Sequence, residues 1–214
     1  AITAAELSAI GGATTGTVTV TNAVAITGDH DQLTAALVTS GTKVEVTDAA
    51  VTINDADATA ISATELSAIG NATTGTVTVT NAIAVTGSTS ELTAALVTAG
   101  TKVEVTDATA TINDADAAAI SATDLSAIGG ATTGTVTVTN AIAITGDHDQ
   151  LTAALVTAGT KVEVTDATVT VNDVDATGIS ATELSAIGNA TTGTVTVTNA
   201  IAVTGSTAEL TVAL

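Results

Sequence analysis

Two hydrophobic periods alternate along the chain. In Thr-Val-Thr-Val-Thr-Asn-Ala-Val-Ala-Ile-Thr-Gly, residues Val18, Val20, Asn22, Val24 and Ile26 fall on one parity, and Thr17, Thr19 and Thr21 take the other. Such alternation predicts a strand with one buried face. In the segment that follows Lys43, Val44 and Val46 point one way, and the parity slips at Asp48-Ala49 before Val51 and Ile53. The slip predicts a bulge or corner. Eight other segments open with a helix-capping pattern, in which a Ser, Thr or Asp precedes an acid or amide by three residues. They are Thr3/Glu6, Asp29/Gln32, Ser62/Glu65, Ser88/Glu91, Ser121/Asp124, Asp147/Gln150, Ser180/Glu183 and Ser206/Glu209. Leu92 and Leu96 then share one helical face. Gly70 and Gly100 are expected to end their helices. Helices of two or three turns do not persist alone in water, so they must dock on the strands.

This pattern repeats almost verbatim every 59 residues, which divides the chain into 1–59, 60–118, 119–177 and a partial copy, 178–214. A longer period of 118 residues overlies it. The first and third copies carry Gly-Asp-His-Asp-Gln at 28–32 and 146–150, where the second and fourth carry Gly-Ser-Thr-Ser-Glu at 87–91 and Gly-Ser-Thr-Ala-Glu at 205–209. Each repeat also has two related halves of unequal length, since the interval from Glu65 to Glu91 is shorter than that from Glu91 to Asp124. Repeats of this kind bury their apolar faces only against their neighbours. The expected fold is an α/β solenoid. Parallel strands stack coil on coil with short docked helices, two related coils make one repeat, and the chain forms one continuous array. Neither terminus carries a distinct polar cap. That predicts a segment internal to a longer array, or one built to stack end to end.

Composition narrows the role. The 214 residues include no Phe, Trp, Tyr, Met, Cys or Pro; Lys and Arg together number 3, against 22 acids, for a net charge of −19. A basic footprint for a phosphate backbone and an aromatic platform for bases are both absent, so nucleic acid is not an expected partner. Without cysteine there is no disulfide, thiolate nucleophile or thiolate zinc site. The apolar runs are far shorter than the roughly 20 residues of a spanning helix, so no membrane span is expected.

The candidate chemistry is sparse. Asn54, Asp55 and Asp57 recur as Asn113, Asp114 and Asp116, and again as Asn172, Asp173 and Asp175. Asp29 and Asp31, with Asp147 and Asp149, add acidic pairs in alternate copies. Oxygen-rich loops suit a hard cation, so these residues are candidates for weak Ca²⁺ binding. The glycine-rich nonapeptide calcium repeat and the EF-hand loop are both missing, and a solvated turn with Asx hydrogen bonds is the plainer reading. His30 and His148 read as solvated cap residues, and no catalytic residue is expected. Asn22, Asp48, Asn81, Asp107, Asn140, Asp166 and Asn199 recur at the strand corner, where a ladder that satisfies backbone groups between coils is expected. The Thr17, Thr19, Thr21 row resembles the Thr-x-Thr arrays of β-solenoid antifreeze proteins. However, the next coil is expected to bring Lys43 and Glu45 onto the same face.

The combination LSAIGGATTGTVTVTNAIAITG, LTAAL and GTKVEVTDA resembles a repeat of very large exported bacterial proteins, of cyanobacterial type, rich in Ala, Thr, Gly and Asp. The resemblance covers the whole chain. It implies surface or matrix roles such as stalks, filaments or surface layers, and it transfers no catalytic residue. The expectation is a non-enzymatic structural segment, extracellular or at the cell surface, whose principal partner is itself. The alternative is a binding module for Ca²⁺ or ice.

Overall fold

The computed structural model describes residues 1–42, 44–101, 103–160 and 162–214; Lys43, Lys102 and Lys161 lie outside the described residues. The chain divides into two compact units, Ala1–Ala110 and Thr111–Leu214. Each is an α/β solenoid of parallel strands with short helices.

In the first unit, Ile2–Thr3, Ala25–Gly28, Ala50–Ile53, Val77–Val79 and Val103–Glu104 form one five-stranded sheet in that order. Ile2 pairs with Ile26, Ile26 with Val51, Val51 with Val77, and Val77 with Val103. Successive rungs are therefore separated by a nearly constant length of chain. Two further pairs, Val18–Val20 with Val44–Val46 and Ala60–Ser62 with Ala84–Gly87, follow the same rule. In the second unit, Ala119–Ser121, Ala143–Gly146, Thr168–Val171 and Val195–Val197 make an equivalent sheet. There, Val136–Val138 pairs with Val162–Glu163, and Gly178–Ser180 with Ala202–Thr204.

The alternating short and long intervals between helix caps suggested coils of unequal length. The strands step evenly instead, and a fifth strand per repeat absorbs the difference. In the first repeat this is Ala50–Ile53. It lies between Ala25–Gly28, which precedes a helix, and Val77–Val79, which follows one. The sheet thereby passes from the helix-entering strands of one repeat to the helix-leaving strands of the next. The parity slip read from the sequence marks the entry to this inserted strand. The chain bends at Thr47–Asp48, and Ala49, Val51 and Ile53 then turn inward.

The loop 54–59 returns the chain from the inserted strand. Among the described residues no glycine has a positive φ, whereas Ala58, Ala117 and Ala176 have φ of 60°, 60° and 66°. The Ala58 amide donates to Ala82 O at 2.7 Å, and the other two alanines repeat that bond with Ala141 and Ala200. The coil-to-coil hydrogen bond holds the left-handed residue in place. A Cβ is unfavourable there, and all three side chains are exposed. Ala58→Gly, Ala117→Gly and Ala176→Gly are each expected to stabilise the fold by about 0.5–1 kcal/mol, the strain relieved less the backbone entropy that glycine adds. Equilibrium denaturation of the single and triple variants checks this.

The helices are Ala4–Gly12, Ala63–Asn71, Ala122–Gly130 and Ala181–Asn189, with shorter ones between them. His30–Leu33, Thr89–Leu92 and His148–Leu151 each run on into a π turn, Thr34–Val38, Thr93–Val97 and Thr152–Val156. In each the closing amide reaches back five residues, as from Thr39 to Thr34 O. A 3.6-residue period in the sequence does not distinguish such a turn from α-helix. Leu7, Leu33, Leu66 and Leu92 of the helices are buried, as are Ile26, Val51, Ile61, Val77 and Val85 of the strands. Each such side chain contributes about 1.5–3 kcal/mol, so a core without aromatics still holds the coils together.

Candidate functional site

The eight helix starts read from the sequence are capped as the spacing predicts, with the Ser, Thr or Asp oxygen accepting from the amide three residues on. The reciprocal bond is made at Thr3, Ser62, Ser88, Asp147, Ser180 and Ser206. At Ser121 the partner is Asp124, one methylene shorter than Glu. Its Oδ2 accepts from the Ser121 hydroxyl at 2.7 Å without completing the box. Backbone and side-chain bonds from Thr3 hold the Glu6 carboxyl below the usual range, and those from Ser88 do the same for Glu91. Bonds from Ser62 and Ser180 lower Glu65 and Glu183, with a smaller contribution from the nearby histidine.

The first and third repeats add a feature that cap chemistry does not predict. His30 is the first residue of its helix, and its ring is only 15 % exposed. Its Nδ1 lies 2.7 Å from Asp55 Oδ1, and its backbone amide donates to Asp55 Oδ2 at 2.8 Å. His148 meets Asp173 in the same way, at 2.7 and 2.9 Å. Both aspartates are buried, 6 % and 5 % exposed. The exposed Asp31 and Asp149 lie 3.6 and 3.5 Å from the other ring nitrogens. Burial of the His30 ring opposes its charge, but the Asp55 bond and the nearby Asp55, Asp31 and Glu65 charges outweigh it, and the pKa is raised. At His148 the Asp173 bond is the largest influence, and the direction is again upward.

The two sets of shifts act in opposite directions. The lowered glutamates stabilise the fold above the ordinary Glu value of 4.5, and that stabilisation is lost as pH falls through their folded values. The raised histidines stabilise it below the ordinary His value of 6.5, and that stabilisation is lost as pH rises through their folded values. Both contributions are present together between those limits.

The cation candidates are distributed as follows. Asp55 and Asp173 face the histidines. Asp57, Asp116 and Asp175 accept from the amides of Ala82, Ala141 and Ala200 at 3.2, 3.2 and 3.0 Å. Asp29 and Asp147 cap helices, while Asp31 and Asp149 flank the imidazoles. Asn54, Asn113 and Asn172 are exposed, and the amides of Asn54 and Asn172 bond to Gly28 O and Gly146 O. Asp114 is half-buried in the second repeat. Neighbouring carboxylates in one loop thus turn to different partners. Among the described residues, no three His, Asp or Glu side chains converge in an arrangement that could hold a metal ion.

The corner asparagines form inter-coil ties to backbone groups, as expected. Asn81, Asn140 and Asn199 donate from Nδ2 to the backbone carbonyls of Asp55, Asp114 and Asp173. The threonine rows split. Thr19 stands opposite Glu45, Thr78 opposite Glu104 and Thr137 opposite Glu163, so charge enters those rows as the sequence suggests. One of these rows, Thr3, Thr27, Thr52 and Thr78, runs uncharged across four strands before it reaches Glu104 on the fifth.

The His–Asp pair escaped the sequence reading because its members stand 25 positions apart. That offset becomes meaningful only once the strand step is known. Among the described residues, no helix is long and apolar enough to cross a membrane. No protein-family model, curated protein or solved structure matches the chain.

Proposed function

We propose that this chain is a structural repeat segment of an extracellular fibre, stalk or surface layer, assembling through stacked solenoid coils and carrying no catalytic role. The observation that carries this reading is where repeat identity is kept and where it is relaxed. Gly11, Gly70 and Gly129 are the same in every complete repeat, and at each an added Cβ would overlap a backbone oxygen of the neighbouring coil. The next position alternates between Gly12, Asn71, Gly130 and Asn189, and at Gly12 and Gly130 the space is open. Identity is thus retained at a coil-to-coil contact and relaxed beside it, as a stacking function requires. The groove between helices is lined by Thr64, Ser67, Ala68, Asn71, Glu91 and Ala94, and there the Thr64 hydroxyl donates to Glu91 Oε1 at 3.1 Å, a further tie between successive helices. An acidic coat of net charge −19 keeps such assemblies apart at low salt and lets cations draw them together.

Electron microscopy of the purified chain over a range of concentrations tests this reading, with and without a calcium chelator. The expected result is filaments, with coil spacing near the ~4.8 Å of stacked strands. Separate particles at every concentration would overturn self-assembly. Filaments lost with chelator would assign Ca²⁺ a role at the joints.

A further inference from the structure

We propose that the His30–Asp55 and His148–Asp173 pairs are proton-operated clasps, which tighten the junction between a helix start and the inserted-strand loop when the imidazole is protonated and relax it when the proton leaves. The geometry is specific. One buried carboxylate spans two donors on a single residue, the backbone amide and Nδ1, and each carboxylate oxygen takes one of them. The clasp joins positions one step of the strand ladder apart, in the same register as Ala25 to Ala50. It also belongs to the same loop as the left-handed Ala58 and the carbonyl held by Asn81, so the loop is tied at its side chain, its backbone and its turn.

Deprotonation does not break the pair outright. A neutral imidazole can keep its proton on Nδ1 and still donate to the carboxylate. The ionic attraction is lost, along with the Nε2–H that faces Asp31 or Asp149. The charged groups around His30 are Asp55 on the clasped loop, Asp31 on its own helix and Glu65 on the next. Those around His148 are Asp173, Asp149 and Glu183. All are acidic, so each favours the protonated ring.

The chain contains its own control. Repeats two and four carry Thr89 and Thr207 at the histidine position, and threonine has no charge to lose in this range. A proton-sensitive histidine therefore alternates with an insensitive threonine at this position, following the longer of the two periods. This accounts for a long period that stacking alone does not require.

The test is an NMR titration of both imidazoles in the intact chain, together with melting curves across pH for the wild type and for His30→Thr/His148→Thr. Both rings are expected to titrate above the ordinary histidine value. The wild-type Tm is expected to fall by roughly 2–4 °C between about pH 5.5 and 8, and the double variant to remain level over that window. Rings that titrate at or below the ordinary value would overturn the clasp, and this measurement needs no variant to fold. An equal fall in the double variant would also overturn it, because the dependence would then arise outside the two clasps.

Discussion

Gly70→Ala is expected to destabilise the first unit by about 3 kcal/mol or more, at the upper end of what overpacking costs. The Gly70 position lies within the helix Ala63–Asn71 and is buried. A Cβ built there would sit 2.5 Å from Thr101 O and 2.9 Å from Val103 Cγ2. The obstacle is backbone that cannot rotate away, because the Thr101 hydroxyl is anchored to Ala95 O and Thr98 O at 3.2 and 2.8 Å. The helix must lift off the neighbouring coil, and Leu66 and Ile69, both fully buried, lift with it. Gly11→Ala and Gly129→Ala repeat the clash, against Thr42 O and Thr160 O. Gly130→Ala is the matched control. Its surroundings are open, and alanine's helix propensity should make it neutral or stabilising by up to about 1 kcal/mol. Denaturant titration of these variants separates a packing constraint from a general intolerance of alanine.

Asp55→Ala is expected to cost about 2–4 kcal/mol, since it leaves the His30 amide and imidazole without their acceptor in a largely desolvated corner. Asp57→Ala, two residues on, removes a single exposed 3.2 Å bond to Ala82 N and should cost about 1 kcal/mol or less. The contrast distinguishes two carboxylates that look equivalent in the sequence. Amide hydrogen exchange provides a local readout, because the His30 amide should lose protection in the first variant and retain it in the second. Similar losses for both would mean that the loop's charge matters rather than the contacts described.

The repeats, the strand parity, the helix starts and the parallel solenoid were legible in the sequence, because each depends on chemistry within a few residues. A Ser or Thr three places before Glu can cap only its own helix. Alternating Val and Thr can present only one apolar face. Local spacing misleads once contacts run between coils. Gly70 reads as a helix stop but lies inside a helix that is capped at Ala72, and its role is close approach. The left-handed φ of Ala58 has no local signal in the sequence, and a bond from Ala58 N to Ala82 O holds it. Asp55 and Asp57 look equivalent in the sequence but face different partners. His30 reads as solvated but is clasped by a buried acid.

The sequence by itself determined that coils of this chain must stack, since no single coil has enough apolar surface to offset the entropy of ordering it. Only the tertiary structure decided how they stack. An inserted fifth strand converts unequal helix spacings into an even ladder, in which Ile2, Ile26, Val51, Val77 and Val103 stand side by side. That ladder brings together the histidine and aspartate that local patterns leave apart. The reason is physical. Capping and alternation are satisfied within a turn or a strand, whereas the step between rungs is set by hydrogen-bond register across coils, to which the whole circuit of chain contributes.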